Sequence, residues 1–248
     1  MDKLKQCIER CKMITGEKKD IVYDCETCKD TEWLTYFKNG YEFAKPCECH
    51  EKKEALRRMA RSGISEEDLK KGFNDFNTFN EQGLVVAKEI TVKYYKDFDN
   101  IRGSRVNSLL LCGASGRGKT TLGMAVANNL IKNKGVNVRY MPYREEVTRL
   151  KQEITDEYTY NEHITRLKRA KVLFIDDLLK GKVTESDINI VYEIVNYRYL
   201  ERLPLIVSTE FTMQSLLDFD DAIAGRLIEM SKGYAVTFDK SIPNYRTR

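Results

Sequence analysis

From about residue 81 onward, short apolar runs alternate with longer stretches whose apolar positions recur every three to four residues. The short runs predict strands at 107–112, 136–141, 171–175, 204–208 and 234–238. The periodic stretches predict amphipathic helices at about 82–98, 119–133, 143–157, 185–201 and 221–230. Strands alternating with helices point to a parallel α/β sheet. Pro204 stands at a strand start, where a missing N–H is tolerated. The N-terminal region has a different pattern. Trp33–Phe37 and Tyr41–Phe43 flank Lys38-Asn39-Gly40, which predicts a hairpin. Residues 62–80, with Ser62-Gly63 and Gly72-Phe73-Asn74-Asp75, predict a linker or docking segment. The expected organisation is therefore an N-terminal domain at 1–61, a linker at 62–80 and an α/β domain at 81–248.

Composition narrows the class. The chain has 248 residues, 42% of them hydrophobic and 32% charged. Its longest apolar runs fall far short of the roughly 20 residues that span a bilayer, and the polar start Met1–Gln6 has no secretory apolar core. A cytoplasmic protein without a membrane partner is expected. The net charge of +4 permits nucleic-acid contact without demanding it. In a reducing cytoplasm, clustered cysteines among the seven are candidate metal ligands rather than disulfides.

The strongest chemical signal is Gly113-Ala114-Ser115-Gly116-Arg117-Gly118-Lys119-Thr120. An apolar strand leads into it and a helix follows, as the phosphate-binding loop requires. The glycines let successive N–H groups turn toward phosphate oxygens, and the helix adds its positive dipole end. Lys119 is placed for the β- and γ-phosphates, Thr120 for Mg²⁺, and Thr121 completes the nucleotide set. A nucleoside triphosphate, read as ATP, with Mg²⁺ is the expected ligand. The apolar run Val172–Ile175 ends in Asp176-Asp177. Asp176 is the candidate Mg²⁺ carboxylate and Asp177 the candidate water activator. Thr209 and Glu210 end a further strand and are candidate γ-phosphate sensors, with a polar turn as the plain alternative. Arg226 is either a paired surface arginine or a finger supplied across a subunit interface.

Cys25-x2-Cys28 and Cys47-Glu48-Cys49-His50, separated by 18 residues, have the spacing of a structural Zn²⁺ site. His50 could replace Cys49 as fourth ligand. So small a domain, poor in Leu, Ile and Val, needs such a staple. Cys7 and Cys11, four apart on an expected helix, suit packing better than ligation, and Cys112 suits burial. Lys52, Lys53, Arg57, Arg58 and Arg61 form either a basic helix face for DNA or an acidic partner, or simply a solvated face.

In order, the four-Cys module, Ser62-Gly63-Ile64, Gly113–Thr120, Val172–Asp177, Ser208-Thr209-Glu210 and Gly225–Met230 resemble the DnaC/DnaI bacterial and phage helicase loaders, a branch of the AAA+ ATPases. The resemblance covers nearly the whole chain. It implies a AAA+ P-loop core, with a parallel five-stranded sheet of order 5-1-4-3-2 flanked by helices and no C-terminal lid. It also implies a small N-terminal zinc-binding domain that binds a DnaB-type hexameric replicative helicase. The core would self-associate, bind single-stranded DNA and hydrolyse ATP at a weak basal rate. Arg226 matches the family's arginine-finger position. Glu210 departs from the family's usual Asn. An IstB-like transposition helper shares the core and is the alternative, as is a nucleotide-switched binding module with negligible turnover.

Overall fold

The computed structural model describes residues 23–61, 66–242, 244 and 245. Cys7, Cys11 and Ser62-Gly63-Ile64 lie outside the described residues. The chain divides into two compact units, Met1–His50 and Glu51–Arg248. The division thus falls ahead of the expected break at 61.

In the first unit, β1 (Trp33–Lys38) pairs antiparallel with β2 (Tyr41–Pro46), Trp33 opposite Pro46 and Lys38 opposite Tyr41. Asn39 and Gly40 both have positive φ, 53° and 81°. Those are the torsions of the two-residue turn that matches strand twist, and Asn-Gly adopts them at little cost. The helix α1 (Glu48–Ala60) begins at the second cysteine pair. From Glu51 on it belongs to the second unit, where its Ala55 and Met59 are buried.

The second unit continues with α2 (Glu66–Lys70) and the long α3 (Gln82–Ile101). Five strands follow, β3 (Leu109–Gly113), β4 (Val138–Pro142), β5 (Val172–Leu178), β6 (Leu205–Thr209) and β7 (Ala235–Phe238), in the spatial order β4-β5-β6-β3-β7. All their pairings are parallel. Numbered within the sheet, this is the expected order 5-1-4-3-2. Between the strands run α4 (Lys119–Lys134), α5 (Tyr143–Glu153), α6 (Glu157–Lys168), α7 (Glu185–Leu200), α8 (Met213–Phe219) and α9 (Asp221–Met230).

Strand alternation divides the core by sheet face. Leu109, Leu111, Phe174 and Ile206 join α3 and α4 on one side. Leu110, Cys112, Leu173, Ile175 and Val207 join α5, α6, α7 and α9 on the other. Each fully buried Leu or Ile contributes roughly 1.5–3 kcal/mol, so the P-loop rests on a rigid support. Segment 66–80 is docked rather than free. The Asn128 side chain donates to the carbonyls of Asp68 and Lys71 at 2.7 and 2.9 Å. Phe76 is buried and stacks on Tyr245, with ring centroids 4.9 Å apart.

Two helices differ from expectation. The helix expected at 143–157 ends at Glu153 as α5, and α6, at 157–168, lies beyond the expected range. Asp156 caps α6, its carboxylate accepting from the Thr159 N–H at 3.2 Å. The short α8, capped by Thr212, carried too little periodic pattern to be anticipated. Arg198, fully buried on α7, donates to the carbonyls of Leu167, Lys168, Ala170 and Pro204. It ties the end of α6 to the starts of β5 and β6. No helix among the described residues is long and apolar enough to cross a membrane.

His163 staples α6 to α5, its Nε2 at 2.7 Å from Glu146 and its Nδ1 at 2.7 Å from Glu153. The Glu146 hydrogen bond, aided by Glu153, raises its pKa against the effect of burial. Histidine's ordinary value is about 6.5. A raised folded-state value means the stabilisation is fully present below about 6.5 and fades as pH rises through the folded value. Urea unfolding stability should therefore decline as pH is taken upward from about 6.5, and His163→Gln should flatten that part of the profile. An unchanged profile in the variant would exclude His163 as the source.

Candidate functional site

β3 is buried along its whole length and delivers Gly113 to the rim of the sheet. Gly113, Gly116 and Gly118 have φ of 110°, 73° and 88°. At Gly113 a Cβ would lie 2.3 Å from the Phe238 carbonyl oxygen, so only glycine fits there. The loop is held on both sides. Gly113 N–H donates to Phe211 O at 2.8 Å, Ala114 N–H to Phe238 O at 3.0 Å, and Gly116 O accepts from the Tyr245 N–H at 2.7 Å. Lys119 is buried, and its Nζ donates to Gly113 O and Ala114 O at 2.8 Å each. Burial lowers its pKa, with Glu210 and Asp177 opposing. Arg117 leans outward and donates to Lys240 O at 3.4 Å.

Asp176 is where the site converges. Its Oδ1 accepts from Thr120 Oγ1 at 2.9 Å and Ser208 Oγ at 2.5 Å, and its Oδ2 from Tyr140 OH at 2.9 Å. Burial raises its pKa, as does Asp177, while the three hydroxyls counteract. A buried carboxylate beside the P-loop threonine suits a divalent cation, whose charge would offset the burial. Tyr140 and Ser208 were not anticipated. Tyr140 lies on the neighbouring strand with no local signal, and Ser208 was read only as the residue before the candidate sensors.

Asp177 sits where β5 breaks register between Ile175 and Leu178, and it has φ 55°. Its N–H donates to Ser208 Oγ at 2.8 Å, and its Oδ2 accepts from Lys180 Nζ at 2.9 Å. Lys180 also reaches Glu210 at 3.0 Å. A hydrogen bond from Ser115 of the P-loop, together with Lys180, holds the Glu210 carboxyl below its ordinary range. Asp177, Lys180 and Glu210 thus form one ionic chain that reaches the P-loop. Lys180, three residues after Asp177, carries no sequence motif that marks it.

Thr209 is placed elsewhere. Its hydroxyl is buried and donates to Leu178 O at 2.9 Å, bracing β6 on β5. Alternation along β6 turns Ser208 and Glu210 toward the P-loop side and Thr209 away. Arg226 also stands apart. It donates to Asn196 Oδ1 at 3.0 Å and Ala222 O at 2.7 Å, and lies over the Tyr192 ring at 5.1 Å. Within one chain it touches none of the P-loop cluster.

In the first unit the sulfurs of Cys25, Cys28, Cys47 and Cys49 lie within 4.8 Å of one another. Cys25 and Cys47 are 3.8 Å apart, and Cys28 and Cys49 3.4 Å. A zinc tetrahedron with Zn–S of about 2.3 Å has an edge of about 3.8 Å, so the four-sulfur set fits. The Cys28 backbone N–H and thiol draw the Cys25 thiol down to about 6, while burial and the neighbouring cysteines push the Cys49 thiol up to about 12. His50 is engaged otherwise, 3.0 Å from Glu32 Oε2 and tilted at 49° against the Trp33 ring.

Comparison with known proteins places this geometry in context. Residues 50–228 match the family model described as IstB-like ATP binding protein. The uncharacterized protein YqaM of Bacillus subtilis (strain 168) is 38% identical over 218 residues, which is 86% of this chain and 67% of YqaM. The crystal structure of DnaI superposes with a TM-score of 0.58 and 26% identity, covering 71% of this chain and 94% of that one. The crystal structure of the DnaC helicase loader gives a TM-score of 0.55 over 70% of this chain and 99% of that one. At 17% identity it is a likeness of fold alone.

Proposed function

Because the chain belongs to the IstB-like ATP-binding family, of AAA+ type, we propose that it hydrolyses ATP to load a replicative DNA helicase onto single-stranded DNA in the cytoplasm. In this reading the P-loop from Gly113 to Thr121 cradles the triphosphate, and Lys119 stabilises charge on the terminal phosphates. Thr120 and Asp176 hold Mg²⁺, which supplies further charge neutralisation there. Asp177 orients the attacking water, and Glu210 with Lys180 senses the terminal phosphate. Arg226, remote from its own P-loop cluster, serves a neighbouring copy, so the active site is completed by self-association. Cys25, Cys28, Cys47 and Cys49 hold Zn²⁺ as a structural ion.

The observation that carries the helicase reading is the surface beside the cysteines. The β1–β2 hairpin exposes Trp33, Tyr36, Phe37, Tyr41 and Phe43, with Phe37 76% and Tyr41 72% accessible. Aromatic surface of that kind on so small a unit suits protein docking. Phe37→Ala with Tyr41→Ala should reduce co-purification with the helicase at least about tenfold, as two anchor residues of about 1 kcal/mol or more each would. Cys28→Ser should do the same by removing the staple, with loss of bound zinc read by metal analysis. Full helicase retention by both variants would count against the reading.

The family model favours a second reading, a transposition helper. It predicts ATP-dependent oligomers on duplex DNA and no helicase in a pull-down from host extract. A switch without turnover is the third, and DNA-stimulated hydrolysis would reject it.

A further inference from the structure

The end of the sheet opposite the P-loop carries a concentration of positive charge that the ATPase reading does not use. β4 is an edge strand, paired only with β5. Beside its start lies a groove of about 640 Å³. Arg58 of α1, Arg61 just after it, Arg139 of β4, and Arg169 and Lys171 from the turn between α6 and β5 line it. None of these five side chains has a carboxylate partner among the described residues. Arg149 and Arg166 also line it, paired with Glu146 and Glu162. Glu146 is the single acidic lining residue, and His163 already engages it.

Arg139 lies half-buried in this groove. Burial depresses its pKa, and Arg166, Arg58 and Arg149 push the same way against Glu146. Clustering like charges around a half-buried guanidinium costs free energy unless an anion joins them. Six of the seven cations are arginines, whose planar forks match phosphate oxygens two at a time. The groove does not end there. Arg58, Asn137 and Lys171 also line a second hollow of about 630 Å³, together with Arg102, Glu51 and Lys134, the last paired with Asp99. Two adjoining basic hollows suit a chain of phosphates better than one compact anion. The half-buried Arg139 can be reached by one flexible strand, not by the rigid cylinder of a duplex.

The geometry points to this groove as the binding track for the phosphodiester backbone of a single nucleic-acid strand. The choice of nucleic acid over other polyanions rests on the loader reading above. No P-loop residue lines the groove, although Tyr140, which does, also donates to Asp176, and bound strand would run along the β4 edge toward the N-terminal ends of the strands.

The test uses the full chain and a fluorescent oligodeoxythymidine, with anisotropy read across a salt series. Arg61, Arg169 and Lys171 are exposed, so replacing all three with serine leaves the core intact. The triple variant should bind at least about tenfold more weakly, with a salt slope shallower by about two, since each lost phosphate contact removes about 0.7. Its basal ATP hydrolysis and thermal midpoint should match the parent. A charge loss elsewhere, Lys96→Ser with Lys232→Ser, should leave affinity within about twofold. The site is overturned if the triple variant binds like the parent or loses no more than that control. The single-strand assignment is overturned if duplex competes equally well, and the nucleic-acid assignment if polyglutamate does. No helicase is present, so failure of helicase loading leaves this result untouched.

Discussion

Lys119→Ala should lower the rate of ATP hydrolysis by about 10²–10³-fold, the usual consequence of removing one preorganised charge donor from a reaction centre. Its ammonium group is already positioned, held at 2.8 Å by the carbonyls of Gly113 and Ala114. On the proposed reading, a charge already held at the loop would act on the terminal phosphates as their charge builds up. The fold should survive. Alanine gives up two hydrogen bonds, but it also removes a charge whose burial is unfavourable, as its lowered pKa indicates. Phosphate release with and without single-stranded DNA measures the effect, and circular dichroism and a nucleotide-binding titration complete the experiment. Weakened nucleotide binding with near-normal unfolding is expected. Hydrolysis within about twofold of the parent would remove Lys119 from the reaction centre.

Arg198→Leu should destabilise the second unit by about 3–5 kcal/mol, the range seen when one partner of a buried charged network is deleted. Arg198 is fully buried and donates to the carbonyls of Leu167, Lys168, Ala170 and Pro204, of which Pro204 O also accepts from the Leu173 N–H at 3.3 Å. Each carbonyl left without a donor costs roughly 1–3 kcal/mol. Against this stands the relief of a desolvated guanidinium, whose pKa burial has pulled down to about 9. The loss exceeds the relief because several carbonyls are stranded at once. Typical domains have about 5–15 kcal/mol in total, so the variant should show a large drop in urea midpoint. Arg198→Lys keeps the charge but lacks the fork, and should recover only part of the loss. A change below about 1 kcal/mol in the leucine variant would mean that water replaces the guanidinium at these carbonyls.

Much of the chemistry was local and therefore readable. Gly113 to Thr120 is one turn, and its glycines are dictated by torsions within that turn. The five parallel strands followed from apolar runs, because both faces of the sheet are covered. The cysteine pairs and Asn39-Gly40 were equally local. Helix α6 was less legible, since its start depends on the aspartate cap Asp156 just after α5 ends.

Sequence alone determined that a nucleotide loop precedes the Asp176-Asp177 pair and follows two cysteine pairs. Each of these motifs closes within a few residues, so spacing was enough. Only tertiary structure decided what surrounds them. Tyr140 and Ser208 meet Asp176 because β4 and β6 flank β5, an adjacency made by sheet order. The Thr209 hydroxyl turns to Leu178 O while Glu210 reaches Lys180, a division that a three-residue polar run does not reveal. Cys49 rather than His50 joined the other sulfurs because Glu32 engages the imidazole. The arginines of the β4 edge were scattered over more than a hundred positions, and folding gathered them. Local geometry is written in short spacings, whereas charge convergence depends on which elements the hydrophobic core brings side by side.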